Sequence, residues 1–487
     1  METALLLVIP FLGGLISLAS GKNNVKFIAL TSSIAALLLS SYLLLTFCNC
    51  NTIQYVVNKP WIPTLGIQFH LGMDGISLLL ILLTTVLVPL IILSTFRKDF
   101  GNNPLLYFLI LTMESALIGV FTARDAFLFY IFWELALIPI YFICLIWGGE
   151  NRGKITFKFF IYTLGGSLFM LLGIIYLYLQ TPGSFDIDIF YQVGPSLSAK
   201  TQSIIFWALF IAFAIKMPIF PFHTWQPDTY TNSPTPGTML LSGIMLKMGI
   251  YGVIRWLLPV VPVGFNEWNN LIVILSVIGI IYASVIALFQ KDLKRMIAYV
   301  SIAHVGLIAA GIFSSTEEGL QGAIIQMLAH GVNVVGLFFI LEIIYSRTNT
   351  LHIPSLGGIR GVAPGFSIFF IIILMSSVAL PLTAGFIGEF LLFVGLFNYN
   401  AILAGFAGLT IIFGAVYMLA SYQKVMLGET REVTANFKDL FLSEKAVLIP
   451  IVIIIFIIGL YPNPLLKISE PAIKNLLNVA GQVYSLK

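Results

Sequence analysis

Apolar runs of about twenty residues, divided by short stretches rich in Gly, Pro, Asn and Lys, recur from one end of the chain to the other. A helix of that length crosses a hydrocarbon layer roughly 30 Å thick. The pattern predicts an all-α membrane protein with fourteen spans: 3–20, 26–47, 74–95, 104–122, 125–147, 158–180, 203–225, 236–258, 270–289, 295–314, 318–345, 364–395, 401–427 and 446–461. Two of these spans are interrupted. Residues 214–225, AIKMPIFPFHTW, carry Pro218 and Pro221, which lack an N–H and clash with the preceding turn, so the seventh span breaks there. Residues 379–390, ALPLTAGFIGEF, place Pro381, Gly385 and Gly388 inside the twelfth. A shift of five spans reverses direction across the membrane. Spans 4–8 and 9–13 are therefore expected to form two inverted five-helix repeats, each with a broken helix. The chain divides into residues 1–103 (spans 1–3), 104–260 (first repeat), 261–427 (second repeat) and 428–487 (last span and tail).

Composition agrees with the pattern. Hydrophobic residues make up 59% of the 487 and charged residues 9%, against about 25% charged in a soluble protein. The first apolar run starts straight after Glu2, with no basic leader and no small-residue cleavage site, so it reads as an uncleaved first helix. Of the 25 Lys and Arg, sixteen between Lys22 and Lys445 fall in loops on one side, seven between Lys59 and Lys487 fall on the other, and Lys216 and Lys247 lie within spans. The positive-inside rule makes the sixteen-charge side cytoplasmic and puts both termini outside. Cys48, Cys50 and Cys144 are too few and too scattered for an iron–sulfur cluster and read as structural. No GxGxxG, P-loop, HExxH or CxxC pattern occurs and no basic nucleic-acid patch is visible, so no redox centre, metal or cofactor is expected on this chain.

The candidate chemistry lies in the embedded charges. Lys216 sits just before the first break. It either snorkels its amine to headgroups or lines an ion path, and the apolar residues on both sides place it near mid-membrane and favour the path. Glu134, in FWELALIPIYF, needs a partner at depth, and Lys216 is the candidate. The pair is either a static buried ion pair or one that exchanges a proton as its spacing changes. Lys247, in LLSGIMLKMGIYG, is as deep as Lys216. His304 and His330, on the tenth and eleventh spans, serve either as packing residues or as relay members between Lys247 and Glu389 of the second broken helix. Glu114 is a further embedded carboxyl with no evident partner, a secondary member of any such path.

The stretches FWELALIPIYF, KMPIFPFHTWQPDTYTNSPTPGTMLLSGIMLKMGIYG, LFQKDLKRMIAYVSIAHVG and GFIGEF resemble the antiporter-like subunits of respiratory complex I, proton-translocating NADH:quinone oxidoreductase, and their relatives in Mrp-type Na⁺/H⁺ antiporters. The resemblance covers essentially the whole chain. At Glu389 the chain resembles the M-type branch, the mitochondrial subunit 4 type, whereas L-type, N-type and Mrp members typically carry Lys there, and the long lateral helix expected of the L-type is not expected after the last span. The resemblance implies that Glu134 and Lys216 form the ion pair of a cytoplasmic half-channel, Lys247 is central, His304 and His330 connect, and Glu389 ends the outward half-channel. It also implies that flavin, iron–sulfur clusters and quinone sit in partner subunits, that L-type and N-type subunits are neighbours in the membrane, and that the protein resides in a bacterial cytoplasmic membrane, with an organellar inner membrane the less favoured alternative. An Mrp-type antiporter subunit and a purely structural membrane-arm subunit are the competing functions.

Overall fold

In the computed structural model, residues 1–21 and 24–482 are described; Lys22 and Lys487, assigned above to opposite sides, lie outside the described residues. The chain begins with α1 (Glu2–Ala19) and α2 (Val25–Thr46), an antiparallel hairpin of β1 (Gln54–Ile62) and β2 (Ile67–Met73), and α3 (Gly75–Ser94). Next come α4 (Asn103–Thr122), α5 (Ala126–Trp147), α6 (Arg152–Leu179), the short α7 (Ile187–Ser196), α8 (Ala199–Lys216) and α9 (Gln226–Asn232). The span Thr235–Leu257 is one continuous helix in four pieces: α10 (Thr235–Leu240), a π-helical turn over Leu241–Met245, α11 (Leu246–Gly252) and a second π-helical stretch over Val253–Leu257. Then follow α12 (Pro262–Leu288), α13 (Leu293–Phe313), α14 (Glu317–Thr348), the single turn α15 (Ile359–Val362), α16 (Pro364–Ser377), α17 (Ala384–Tyr399), α18 (Ala401–Met426), α19 (Leu442–Leu460) and α20 (Asn463–Gln482).

Among the described residues thirteen helices are long and apolar enough to cross a membrane, and the shorter pair α16 and α17 makes up the remaining expected span. The polar residues at the membrane faces explain where several begin. Asp74 accepts the Ser77 N–H, Asp125 those of Phe127 and Leu128, Asp292 that of Arg295, and Asn400 those of Ile402 and Leu403. Each cap satisfies first-turn donors that hydrocarbon would leave unpaired. Both breaks fall where the prolines put them: α8 stops at Lys216, and residues 378–383 separate α16 from α17. In the second break Ala379 (φ 58°) and Leu382 (φ 74°) are left-handed, a conformation that strains an L side chain.

Burial sorts the spans into a core and an exposed rim. Thr235–Leu257, α13 and α14 are buried over the whole of their apolar windows (100%), whereas α2 is 28% buried. The two sets of five helices pack in matching order: α5 on α4 and α6, with α6 against α8, is paralleled by α13 on α12 and α14, with α14 against α16 and α17. The helix α12 lies against both α8 and α18 and stitches the sets together.

Ion pairs mark the two faces. On one, Lys26 donates to the carbonyls of Phe96 and Lys98, Lys98 pairs with Glu342 at 2.9 Å, and Arg347 pairs with Glu444 at 2.7 Å. On the other, Arg124 holds Asp188, His70 holds Asp186 at 2.7 Å, and Arg255 pairs with Asp74. The amphipathic α20 rests on α3 and α14 at this second face, so closely that a Cβ on Gly75 would sit 1.7 Å from Ile468 O. The start of α1 is there too, where Thr3 donates to Tyr55 O. The hairpin and α20 lie in stretches that the span pattern left as connections, because alternation over nine residues and a polar-faced helix carry little weight beside runs of twenty apolar residues.

Candidate functional site

Lys247 belongs to a helix that is buried all round, and its ammonium has two partners. It donates to Ser242 O at 2.7 Å and lies 2.9 Å from His330 Nδ1. Ser242 is inside the π-helical turn, which displaces its carbonyl from the regular ladder and frees it for the lysine. Glycines bring the two helices together here: a Cβ on Gly331 would lie 2.9 Å from Gly243 O.

A line of groups continues from that pair. His330 Nε2 lies 3.0 Å from Ser301 Oγ. The arrangement that satisfies both bonds is a neutral imidazole accepting from Lys247 at Nδ1 and donating to Ser301 from Nε2. Ser301 and His304 are three residues apart on α13 and so share a face. The His330 and His304 rings stand edge to face with centroids 5.8 Å apart. His304 Nε2 is 3.7 Å from Glu389 Oε1, and Gln326 Nε2 donates to the same oxygen at 3.3 Å. The sequence-derived set Lys247, His330, His304 and Glu389 thus forms one buried row across α11, α14, α13 and α17. Gln326 suits a carboxyl that changes charge, because its amide N–H serves the carboxylate and its oxygen, otherwise unpaired, accepts from the acid.

Ser301 and Gln326 escaped the sequence reading. A signal existed for each: Ser301 precedes His304 by three, and Gln326 precedes His330 by four on α14. Neither carries a charge, so neither stood out among apolar residues.

The first broken helix is different. Lys216 Nζ is buried with no hydrogen-bond partner and lies 5.2 Å from the centroid of the Trp133 ring. No described ion pair joins it to Glu134, whose carboxyl is half-buried on α5, with Oε1 unpartnered. Glu114 is fully buried on α4 with both oxygens unpartnered, so no hydrogen bond ties it to this row. Among the described residues no cluster of three or more His, Cys, Asp or Glu is placed to hold a metal ion.

Residues 123–414 match the family described as NADH:quinone oxidoreductase/Mrp antiporter, TM. The chain is also 44% identical, over 93% of its length and 92% of the relative's, to NADH-quinone oxidoreductase subunit M of Rickettsia typhi. The chain belongs to this family. The NADH:quinone oxidoreductase/Mrp antiporter region holds Glu134, Lys216, Lys247, His304, His330 and Glu389, and Glu114 falls before it. The fold is that of a chain in respiratory complex I from Thermus thermophilus with bound NADH, with a TM-score of 0.90, 30% identity and coverage of 98% of this chain and 100% of that one. A chain of the Mrp complex from Dietzia sp. shares the fold alone, with a TM-score of 0.84, 21% identity and coverage of 99% of this chain and 52% of that one. This is a multi-pass membrane protein of the antiporter-like type.

Proposed function

We propose that the chain is a proton-translocating membrane-arm subunit of an NADH:quinone oxidoreductase, moving protons in response to quinone reduction elsewhere in the complex. The observation that carries this reading is the buried row from Lys247 through His330, Ser301 and His304 to Glu389. A proton leaving the Lys247 ammonium arrives at His330 Nδ1, and the imidazolium so formed gives up its Nε2 proton towards Ser301 and His304. Glu389 receives the charge at the second break, with Gln326 paired to it in either protonation state. Lys216 and Glu134 form the input side: the lysine loads while the carboxylate is near and unloads towards Lys247 as the two separate. Glu114 is a secondary carboxyl beside this path.

In this reading residues 1–103, 104–260, 261–427 and 428–487 are the N-terminal spans, the two repeats and the C-terminal span and tail. Flavin, iron–sulfur clusters and quinone belong to partner subunits, L-type and N-type antiporter-like subunits are the neighbours, and lipid covers the rim. The face bearing Lys26, Lys98 and Arg347 is cytoplasmic and both termini are periplasmic in a bacterial inner membrane, supported by the excess of basic residues on that face.

The test is Lys247→Ala in the assembled complex, with NADH-driven acidification of inverted vesicles as the readout. Loss of acidification, with NADH oxidation by an artificial acceptor retained, is expected; undiminished acidification would sink the reading. The family also contains antiporters. A native gel stained for NADH dehydrogenase activity separates the two, since a sodium antiporter subunit would migrate outside the active band.

A further inference from the structure

Residues 47–54 leave α2 and turn into β1, and they carry two of the three cysteines. The Cys50 N–H donates to Cys48 O at 2.8 Å, a three-residue turn. Such a turn draws the flanking Cα atoms towards the roughly 4.4–6.8 Å that a disulfide spans. Gln54 clamps it: its side-chain oxygen accepts the Cys48 N–H at 2.9 Å, and its amide donates to Cys48 O at 2.7 Å and to Cys50 Sγ at 3.6 Å. The Thr52 hydroxyl is 3.1 Å from Cys50 Sγ. The neighbouring Cys48 thiol, with Thr52 adding to its effect, holds Cys50 below the ordinary thiol value, while Cys50 in turn raises Cys48.

Cys48 is exposed and Cys50 half-buried. Cys144 is the opposite case, buried against Ser233. Burial sets Cys144 apart from the other two, although the sequence reads all three as structural. Donors converging on one sulfur, beside a second sulfur open to solvent, make a dithiol arranged for exchange.

We propose that Cys48 and Cys50 form a reversible disulfide, made by exchange with the disulfide of a protein thiol oxidase on the outer side of the membrane. The Cys50 thiolate attacks one oxidase sulfur, the oxidase disulfide breaks, and its other sulfur leaves as a thiolate that takes up a proton. Cys48 then loses its proton to solvent and attacks the Cys50 sulfur of the mixed disulfide, expelling the second oxidase thiol. Two thiols here are oxidised and one oxidase disulfide is reduced to a dithiol. The bond closes the turn that ties α2 to the hairpin. The location of the oxidase rests on the orientation given under the proposed function; the thiol chemistry does not.

The experiment uses the intact, gently solubilised complex, equilibrated with mixtures of reduced and oxidised glutathione. Free thiols are blocked with N-ethylmaleimide, the sample is reduced, and the released thiols are labelled with a heavy form of the reagent before mass spectrometry. In oxidising mixtures both Cys48 and Cys50 should carry heavy label on one peptide with no glutathione adduct on the unreduced sample, and Cys144 should carry none. Cys50→Ser should stop at a glutathione adduct on Cys48. Glutathione adducts on the wild-type pair without an internal disulfide, or free thiols throughout, would overturn the proposal. A membrane-impermeant maleimide added to reduced whole cells should reach Cys48. Labelling only in inverted vesicles would overturn the oxidase assignment and the orientation, leaving the glutathione result to decide the chemistry.

Discussion

The two broken helices hold their charged residues in opposite ways. In the first, Lys216 is the last residue of α8, before the break, and its ammonium has the Trp133 ring but no hydrogen-bond partner. The C-terminal end of a half-helix carries unpaired carbonyls and a partial negative charge, which suits a cation. In the second, Glu389 sits one turn and more past the break, in α17, and has Gln326 and His304 beside it. One site is held by the helix end itself and the other by side chains of neighbouring helices. The second should therefore be the more sensitive to packing and to the loss of a partner.

The sharpest way to break this comparison is a pair of glycine substitutions. In Gly388→Ala the new methyl would lie 2.4 Å from Gln326 Oε1 and 2.8 Å from Gln326 Cα, so backbone must move. Overpacking of this kind costs about 1–3 kcal/mol, and because it drives Gln326 off Glu389 we expect proton translocation to fall about tenfold or more. The counterpart Gly166→Ala, on α6 beside α8, meets Ile215 Cδ1 at 2.8 Å, the free end of a side chain. Its effect should be several-fold smaller, and equal losses in vesicle acidification would end the distinction.

Next in size is Gln326→Ala, which leaves the Glu389 carboxyl without its N–H donor. Removing one partner of a buried polar group costs about 1–3 kcal/mol. Loss of translocation with little loss of thermal stability is expected, and Gln326→Glu should not rescue it because two carboxyls would face each other. Glu134→Gln follows. No described ion pair joins the Glu134 carboxylate to Lys216, so its removal should slow acidification less than Glu389→Gln does. A larger effect than that of Glu389→Gln would mean that the two come into contact during turnover.

Ala379→Gly probes the second break alone. It relieves a left-handed alanine worth about 1–2 kcal/mol of strain, partly offset by the greater freedom of glycine in the unfolded chain. A small rise in the melting temperature of the solubilised complex is the expected result. The smallest effect concerns the end of the first repeat that carries Asp186. Burial raises Asp186, but the His70 hydrogen bond and neighbouring charges outweigh it and hold the carboxyl below its usual value. A depressed carboxylate contributes stability above its unfolded value that is lost as pH falls through the folded one. Hydrogen exchange at residues 184–190 should therefore quicken only below about pH 4, with α17 unaffected.

Most of the fold was legible because a hydrocarbon solvent demands long apolar runs and admits few other ways to cross. All fourteen expected spans have their counterpart, and the prolines at 218 and 221 announced the first break. The site was half legible. Lys247, His304, His330 and Glu389 were conspicuous because charged or titratable groups are rare inside spans, yet nothing in their spacing along the chain says that Lys247 Nζ meets His330 Nδ1 across 83 residues. The contact expected between Glu134 and Lys216 illustrates the limit: both are embedded, and the fold still holds them apart.

The sequence by itself determined that this is a membrane protein, where its helices run and break, and which residues carry charge into the apolar layer, because each of these follows from the cost of exposing polar groups to lipid over a local stretch. Only the tertiary structure decided which of those residues meet. That depends on how α11, α13, α14 and α17 cross, and the crossings are set by close approaches such as those of Gly243, Gly331 and Gly388. It also chose the uncharged partners, Ser301 and Gln326, since a hydroxyl or an amide gains its role from the group it faces rather than from its own identity.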